Sequence, residues 1–326
     1  MYKVLVTGVG AVIGYGILRS LRVSRYAPEI IGTDIYPDAV GKHWCDRFEQ
    51  AIPVAHAEYP GFLREIILKH AVDLVIPGVV QDSLFLAQEI QKDKSLRGLR
   101  ARFALNNPHL LAIADDKWLT HLQLRQNGFP AIETRIDGEF QDLAGLLGLP
   151  MLLKPRRSYA SKGIQLIHTP EDFEYWRNKL GPNFMVQQIV GNQEEEYTVG
   201  AFGLGDGTCA QPIIFQRKLS GEGSTAKAKV RAIPELDCLV RRLAKLFAPI
   251  GPTNFQFRLH QGKFLLLEIN PRISSSNSLR TAFGYNEAEM CLEYYLEQKK
   301  PLTRQIRTGC AVRYLEDLVV YDRPDF

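Results

Sequence analysis

Two segments in the last quarter of the chain carry polar side chains at alternating positions, a spacing that could bring several oxygen ligands together. Asn254 and Gln256 alternate with apolar residues in the first segment, and Glu268 and Asn270 do so in the second. Alternate residues of a strand lie on one face of a sheet, and a turn centred on Gly262 would set Gln256 opposite Glu268. Such oxygen atoms suit Mg²⁺ when nucleotide phosphates complete its coordination shell. We therefore predict a metal site formed by Gln256, Glu268 and Asn270.

The proposed pairing is specific, because a slip of one residue would turn a ligand to the other face of the sheet. A plainer interpretation of the same residues also stays open. Glu268 could be a strand-end carboxylate that forms an ion pair with Arg272 and binds no metal.

Isolated lysines and a polar loop could hold phosphate groups. Lys117 lies in a helical segment, and Lys154 ends an apolar run just before a polar loop at 155–163. Backbone N–H groups and hydroxyls of such a loop can bind phosphate oxygens. The donors we assign to the loop are Ser158, Ser161 and Gly163. For each lysine taken singly, a solvated surface position remains the alternative.

A strand edge and a carboxylate follow this loop in the sequence. The run Gln187, Gln188, Ile189 and Val190 could offer a strand edge to an adenine, and Glu196 could accept hydrogen bonds from ribose hydroxyls. The alternative for the three consecutive glutamates at 194–196 is a solvated turn.

The elements that must position these residues fall into three parts. Residues 1–107 alternate short apolar runs with amphipathic stretches, which predicts a parallel sheet with helices, an α/β Rossmann-like domain. Residues 108–185 predict a small α+β unit, in which one helix runs from Asn107–Pro108 to a stop at Asn127–Gly128. Residues 186–326 contain paired strands separated by glycine turns, which predicts an antiparallel sheet covered by helices at about 234–247 and 286–298.

Composition excludes several classes of protein. The 326 residues carry 40 Lys and Arg against 36 Asp and Glu and are 45% hydrophobic, which is typical of globular domains. A dispersed net charge of +4 gives no nucleic-acid-binding patch, and no apolar run is long enough to span a membrane. The five cysteines form no CxxC pair, so we expect neither a disulfide framework nor a zinc site, and a cytoplasmic location.

The order of these motifs resembles the ATP-grasp superfamily, in particular the branch of carbamoyl phosphate synthase large subunits and biotin carboxylase. The most specific similarity is Phe255-Gln256-Phe257 followed by Glu268-Ile269-Asn270-Pro271-Arg272. The resemblance covers nearly the whole chain. It implies a Rossmann-like front domain followed by an ATP-grasp fold of two subdomains, the smaller of which is a lid.

The resemblance also implies an activity and a role for each motif. It implies an ATP- and Mg²⁺-dependent ligase that converts a small-molecule carboxylate to an acyl phosphate and joins it to an amine, with Mn²⁺ as a substitute metal and a homodimer as one assembly. Residues matching Gln256, Glu268 and Asn270 would bind Mg²⁺. Those matching Lys117 and Lys154 would hold ATP phosphates, and the one matching Arg272 would face the carboxylate or its acyl phosphate.

Two positions depart from the pattern of that superfamily. The phosphate loop has a single glycine, Gly163, and carries Arg156 and Arg157 where further glycines are usual. The adenine strand opens with Gln187 where glutamate is frequent, although a glutamine carbonyl accepts hydrogen bonds as a carboxylate does.

Two other classes of function stay open. The run Gly8-Val9-Gly10-Ala11-Val12-Ile13-Gly14 followed by Asp34 looks like a dinucleotide-binding fingerprint and would make the chain an NAD(P)-dependent oxidoreductase. Its spacing is GxGxxxG, which suits close helix packing equally well. A nucleotide-binding or kinase-like protein without ligase turnover is the other class.

The substrate side has only weak candidates. Arg217 and Arg231, with the segment 274–277, flank the predicted metal cluster in the order of strands, and cations suit a carboxylate. We include Arg217 with Lys154 and Arg272 among the predicted catalytic residues. The alternative is that both arginines pair with surface acids.

Overall fold

The first part of the chain forms a parallel sheet. In a computed structural model, which describes residues 1–92, 94–158, 162–221, 223–302, 304–319 and 321, the sheet has five strands in the order β3-β2-β1-β4-β5. The strands are β1 (Lys3–Thr7), β2 (Glu29–Asp34), β3 (Arg47–Gln50), β4 (Leu74–Ile76) and β5 (Arg102–Phe103). The helices of this part are α1 (Val12–Arg22), α2 (Tyr59–His70), α3 (Val80–Lys92) and α4 (Lys94–Arg97). The predicted parallel α/β sheet is confirmed.

The prediction of a single helix from residue 108 to residue 126 is wrong, because the helix is interrupted at Asp116. The structure has α5 (Pro108–Asp115), capped by Asn107 as predicted, and then α6 (Lys117–Gln126). Asp116 has extended backbone angles, and its Oδ1 accepts a hydrogen bond from the N–H of Trp118 at 3.0 Å. An aspartate at this position starts a new helix instead of continuing the old one. The break makes Lys117 the first residue of α6.

The middle of the chain forms a four-stranded antiparallel sheet in the order β6-β9-β7-β8. Its strands are β6 (Thr134–Arg135), β7 (Met151–Pro155), β8 (Gln165–Ile167) and β9 (Phe184–Gln187). The helices α7 (Phe140–Leu147) and α8 (Pro170–Leu180) pack on it, and α8 begins with a capping box of Thr169 and Asp172.

A six-stranded antiparallel sheet in the order β14-β13-β10-β11-β12-β15 follows. Its strands are β10 (Glu196–Leu204), β11 (Ile213–Leu219), β12 (Thr225–Arg231), β13 (Ile250–His260), β14 (Lys263–Asn270) and β15 (Cys310–Val312). Its helices are α9 (Pro234–Phe247), α10 (Asn277–Ala282) and α11 (Glu287–Cys291), and α11 continues into one π-helical turn at Leu292–Leu296.

Two buried clusters hold the large sheet in place. On one face, Leu236, Val240 and Phe247 of α9 pack against Phe255 and Phe257 of β13. On the other, a cluster that includes Ile17 of α1 also includes Phe202 and Phe215 of the large sheet. The parallel domain is therefore joined to the antiparallel sheet by shared apolar core.

Candidate active site

The β13–β14 hairpin brings the predicted metal ligands together. Gln256 pairs across the strands with Glu268, and Asn254 pairs with Asn270. The register shifts between Gln256 and Phe257, which leaves one extra residue on β14. The turn uses Gly262 with φ of +73°, a backbone conformation that favours glycine. The predicted pairing of Gln256 with Glu268 is confirmed.

The donor atoms of this cluster are already ordered by hydrogen bonds. Nδ2 of Asn270 donates to Oε1 of Glu268 at 2.8 Å, and Nη2 of Arg272 donates to Oδ1 of Asn270 at 2.9 Å. Within the described part of the chain, no three His, Cys, Asp or Glu side chains are grouped as a metal site. The protein thus offers one carboxylate and amide oxygens. This set fits Mg²⁺ that is held mainly by nucleotide phosphates and only partly by the protein.

Gln256 is held by a buried network of charges. Nη2 of Arg217 donates to Oε1 of Gln256 at 2.6 Å and to Oε1 of Glu196 at 2.8 Å. Nη2 of Arg258 donates to the other oxygen of Glu196 at 2.7 Å. Arg217 and Glu196 are both almost fully buried, and burial lowers the pKa of Arg217.

This network bears on two of the predicted roles. Both carboxylate oxygens of Glu196 are bonded to arginines, so the geometry gives this residue a supporting role toward Arg217 and Arg258. Its contact with a ribose stays a prediction. Arg217 reaches the metal cluster through Gln256, and its contact with a substrate also stays a prediction.

Asn254 belongs to a second buried network. Its Oδ1 accepts hydrogen bonds from the hydroxyl of Thr198 at 2.6 Å and from the fully buried Arg280. Arg280 forms an ion pair with Glu287 at 3.1 Å. Arg280 was not among the predicted site residues, because its spacing from the hairpin gives no signal of the contact. The network anchors β13 at the level of the metal cluster.

The two predicted phosphate lysines have different surroundings. Nζ of Lys117 donates to the main-chain oxygen of Ser158 at 2.8 Å, and lies 3.3 Å from its hydroxyl. Nζ of Lys154 donates to Oε1 of Gln187 at 2.8 Å, and Nε2 of Gln187 donates to the hydroxyl of Thr134 at 2.9 Å. Gln187 thus uses its side chain to hold Lys154, a partner that the sequence did not indicate.

The lysines share one electrostatic environment with Glu268. Burial, together with the neighbouring charge of Lys117, lowers the pKa of Lys154 to about 8, while the charge of Glu268 opposes the shift. Burial also lowers the pKa of Lys117, again against the attraction of Glu268. A buried and a half-buried ammonium group of this kind favour an anion between them and the metal cluster.

Cavities lie on either side of Lys117. One is lined by Lys117, Ser158, Glu268, Asn270 and Arg272, and its far wall comes from the first turn of α3. The other is lined by the polar side chains of Lys117, Thr120, His121 and Gln187 and by the apolar side chains of Leu124, Ile132, Met185, Leu266 and Leu267. The first cavity has the charged groups that phosphates require, and the second has apolar side chains that a base could contact.

The strand edge beyond Gln187 is partly engaged. The N–H of Gln188 donates to the main-chain oxygen of Glu133 at 3.0 Å. Val190 is buried, and its main-chain oxygen accepts a long hydrogen bond of 3.4 Å from Arg258. Ile189 is half-buried between them. Recognition of adenine by this segment stays a prediction.

The phosphate loop is described at both of its ends. Arg156 pairs with Asp116 at 2.5 Å, and Arg157 lies 3.3 Å from Asp115, so both arginines are tied to the junction between α5 and α6. Gly163 has φ of +78°. The predicted donor Ser161 lies outside the described residues.

The remaining substrate candidates separate in the structure. Arg231 is exposed at the end of β12. In the segment 274–277, the hydroxyl of Ser276 lies 2.9 Å from that of Thr225, and Nδ2 of Asn277 donates to the main-chain oxygen of Ile13 at 3.3 Å. Ser276 therefore joins this segment to β12 of the large sheet, and Asn277 joins it to α1.

Comparison with known proteins identifies similar sequences. Residues 181–318 match the family described as ATP-grasp in the biosynthetic pathway with Ter operon. The carbamoyl phosphate synthase large chain of Methanocorpusculum labreanum is 23% identical over 308 residues, which cover 83% of this chain and 28% of that protein. The D-alanine–D-alanine ligase of Ralstonia pickettii is 26% identical over 170 residues, which cover 49% of each. The chain spans about a quarter of the carbamoyl phosphate synthase large chains that it matches.

Solved structures with the same fold cover most of the chain. The biotin carboxylase domain of the Hydrogenobacter thermophilus 2-oxoglutarate carboxylase, a complex with MgADP and bicarbonate, aligns with a TM-score of 0.70 and 15% identity over 94% of this chain and 73% of that one. The Thermus thermophilus N5-carboxyaminoimidazole ribonucleotide synthetase aligns with a TM-score of 0.70 and 18% identity over 94% and 81%. Among the described residues, no helix is long and apolar enough to cross a membrane. The predicted resemblance to ATP-grasp proteins is confirmed.

Proposed function

We propose that this chain, which has the ATP-grasp fold, is an ATP- and Mg²⁺-dependent ligase that joins a small-molecule carboxylate to an amine. One observation carries the proposal. Glu268 and Asn270 of the β13–β14 hairpin line the same cavity as Lys117, and the ammonium of Lys154 shares their electrostatic environment. Anionic and cationic groups that converge on one cavity suit a metal-bound polyphosphate.

The proposed reaction has two steps. A carboxylate oxygen attacks the γ-phosphorus of ATP, and the bond to the bridging oxygen breaks and leaves ADP. The amine nitrogen then attacks the acyl carbon, phosphate leaves with both electrons of the acyl–oxygen bond, and the nitrogen loses its proton. Neither step requires a covalent bond to the protein.

The residues of the chain would align the reactants and balance charge. Glu268 and Asn270 would hold Mg²⁺, which when bound supplies neutralisation of the phosphate charge. Lys117 and Lys154 would bind phosphate oxygens, and Arg272, fixed beside Asn270, would face the carboxylate. Arg217 would keep Gln256 oriented through its 2.6 Å hydrogen bond. The loop at 155–163 would close over the phosphates and keep water from the acyl phosphate.

A screen for phosphate release tests the proposal. Amino acids and small carboxylates are offered singly and in pairs with MgATP, and phosphate and ADP are measured. A ligase releases phosphate only when a carboxylate and an amine are both present. Release of ADP with a stable phosphorylated product would instead indicate a kinase-like protein. Gel filtration with light scattering on the same sample tests for the homodimer that the resemblance implies.

A further inference from the structure

A large cavity lies in the parallel domain, away from the hairpin. Its volume is about 600 Å³, and it opens at the carboxyl ends of the parallel strands. Thr7 ends β1, Asp34 ends β2, and Val79 follows β4, and all three line it. The strand order reverses between β1 and β4, and ligands of open parallel sheets bind at such a reversal.

Two buried carboxylates line this cavity. Oδ2 of Asp34 accepts from the N–H of Gly10 at 2.8 Å, and Oδ1 accepts from the N–H of Tyr36 at 3.0 Å. Asp82 is 6% exposed, and the hydroxyls of Thr7 and Tyr59 lie near its carboxyl group. All of these partners are neutral.

The cavity has an excess of negative charge. Asp38 adds a third carboxylate at its exposed rim, and no Lys, Arg or His is among its described lining residues. Burial, together with the nearby charge of Asp34, raises the pKa of Asp82 to about 6, and a carboxyl group with this pKa is still ionised at pH 7.5. A buried charge without a counter-charge is costly, and a bound cation would remove that cost.

The same geometry disfavours a dinucleotide at the glycine run. A pyrophosphate needs free N–H groups, and that of Gly10 is bonded to Asp34. The other glycines serve close contacts of the backbone, since a Cβ on Gly14 would lie 2.2 Å from the main-chain oxygen of Gly8. A polyanion would also meet Asp34 and Asp82 with no cation to offset them.

Apolar side chains complete the wall. Ile52, Val54 and Val79 line the cavity beside Tyr59. A ligand that fits this lining has a cationic end and an apolar body. A primary ammonium, with three N–H donors, matches two carboxylates better than a metal ion does, because the described partners of those carboxylates are backbone N–H groups and hydroxyls rather than further ligands.

The first turn of α3 connects this cavity to the proposed active site. Gln81 and Asp82 line the cavity, whereas Val80 and Ser83 line the cavity that contains Glu268. The first turn of α3 is therefore a shared wall between the cavity of the parallel domain and the proposed phosphate site.

We propose that this cavity binds an amine-bearing small molecule as its ammonium, with the nitrogen at Asp34 and Asp82. Its further role, delivery of the nucleophile to the acyl phosphate, rests on the proposed ligase function. Binding itself does not, so binding is the property to measure.

The test compares three probes of similar shape, one cationic, one neutral and one anionic. The full chain at pH 7.5 without nucleotide is titrated with 2-phenylethylamine, 2-phenylethanol and 3-phenylpropionate by protein-observed NMR, and NAD⁺ is added as a fourth probe. We expect the amine to bind at least tenfold more tightly than the other probes, with shifts at α3 and the glycine run. Equal binding of the alcohol, or tighter binding of the anion or of NAD⁺, would overturn the proposal.

Variants locate the site and separate it from the ligase. Asp82→Asn and Asp34→Asn should each weaken amine binding at least tenfold, whereas Asp38→Asn at the exposed rim should change it less than threefold. Glu268→Gln should leave amine binding unchanged, so failure of the ligase proposal would not affect this result. Retention of full affinity in folded Asp82→Asn would contradict the assignment. If Asp34→Asn fails to fold, Asp82→Asn alone decides.

Discussion

Arg217 donates a 2.6 Å hydrogen bond to Oε1 of Gln256, the residue that pairs with Glu268 across the β13–β14 hairpin. The guanidinium is buried and is also bonded to Glu196. A fixed cation therefore lies next to the single carboxylate of the metal cluster. It would help to place Gln256 and to neutralise phosphate charge.

Removal of this cation should cost both stability and activity. Arg217→Met leaves Glu196 buried with Arg258 as its remaining charged partner, and we expect a loss of about 3 kcal/mol in the free energy of unfolding. The double variant Arg217→Met/Glu196→Gln should recover about half of that loss without recovering phosphate release. Urea unfolding of the three variants measures the coupling. Wild-type stability of Arg217→Met would show that the network is not a structural support.

Lys154 should make ATP binding depend on pH. Its pKa is about 8, with Lys117, Glu268 and Arg258 as the surrounding charges. Only the ammonium form attracts phosphate, so the KM for ATP should rise about tenfold from pH 7 to pH 9. Gln187→Glu places a carboxylate on Nζ, raises the pKa of Lys154, and should move this rise to higher pH. Steady-state kinetics across the range check the shift, and an identical profile in Gln187→Glu would refute the role of Lys154.

The pairing of the metal cluster could be predicted from sequence because it depends on local geometry. Alternation and a glycine turn fix which side chains of a hairpin share a face, so Gln256 and Glu268 could be matched across eleven intervening residues of strand and turn. The bond between Lys154 and Gln187 could not be predicted. It joins neighbouring strands of the small sheet whose register is set by tertiary contacts rather than by a short turn.

Other differences have equally local causes. The strand β12 was not predicted from the sequence because its segment TAKAKVR has no apolar run. Its small or apolar residues alternate with basic residues, as in a half-buried strand. The break at Asp116 was missed because periodicity continues through it, and only the cap to Trp118 and the pair with Arg156 reveal it. Asp34 looked like a ribose ligand, and its bond to Gly10 becomes visible only in three dimensions.

Asp82 should lower the stability of the protein at neutral pH. Its pKa is about 6 in the folded chain, above the ordinary aspartate pKa of 3.8, so the ionised form is disfavoured by folding. Asp82→Asn should stabilise the protein at pH 7.5 by up to about 3 kcal/mol, since one pKa unit corresponds to about 1.4 kcal/mol. The gain should fade as pH falls from 6 to 4, where Asp82 becomes protonated. The other titratable groups that line the cavity are Asp34, Asp38, Tyr36 and Tyr59.

Urea unfolding at pH 7.5 and at pH 4.5 measures this effect, with Asp38→Asn as the matched control at the exposed rim. Destabilisation of Asp82→Asn at pH 7.5 would mean that the carboxylate already has a stabilising partner.

Glu268→Gln should remove turnover and keep the fold. The substitution changes no volume and retains an oxygen that can accept from Asn270, but it removes the negative charge that attracts the cation. We expect phosphate release to fall at least about 100-fold with unchanged thermal stability. Glu235→Gln, at an exposed position of α9, is the matched control and should keep full activity. Activity near that of the control would count against the metal site.

If a carboxylate is activated as an acyl phosphate, one of its oxygen atoms must end in the phosphate that is released. Isotopic labelling of that oxygen measures the transfer. The carboxylate found in the release screen is labelled with ¹⁸O, and the phosphate formed with MgATP and the amine is examined by mass spectrometry. The oxygen that attacks the γ-phosphorus stays with phosphate when the amine displaces it. We expect one ¹⁸O atom in each phosphate released, whereas unlabelled phosphate formed together with the ligated product would exclude an acyl phosphate.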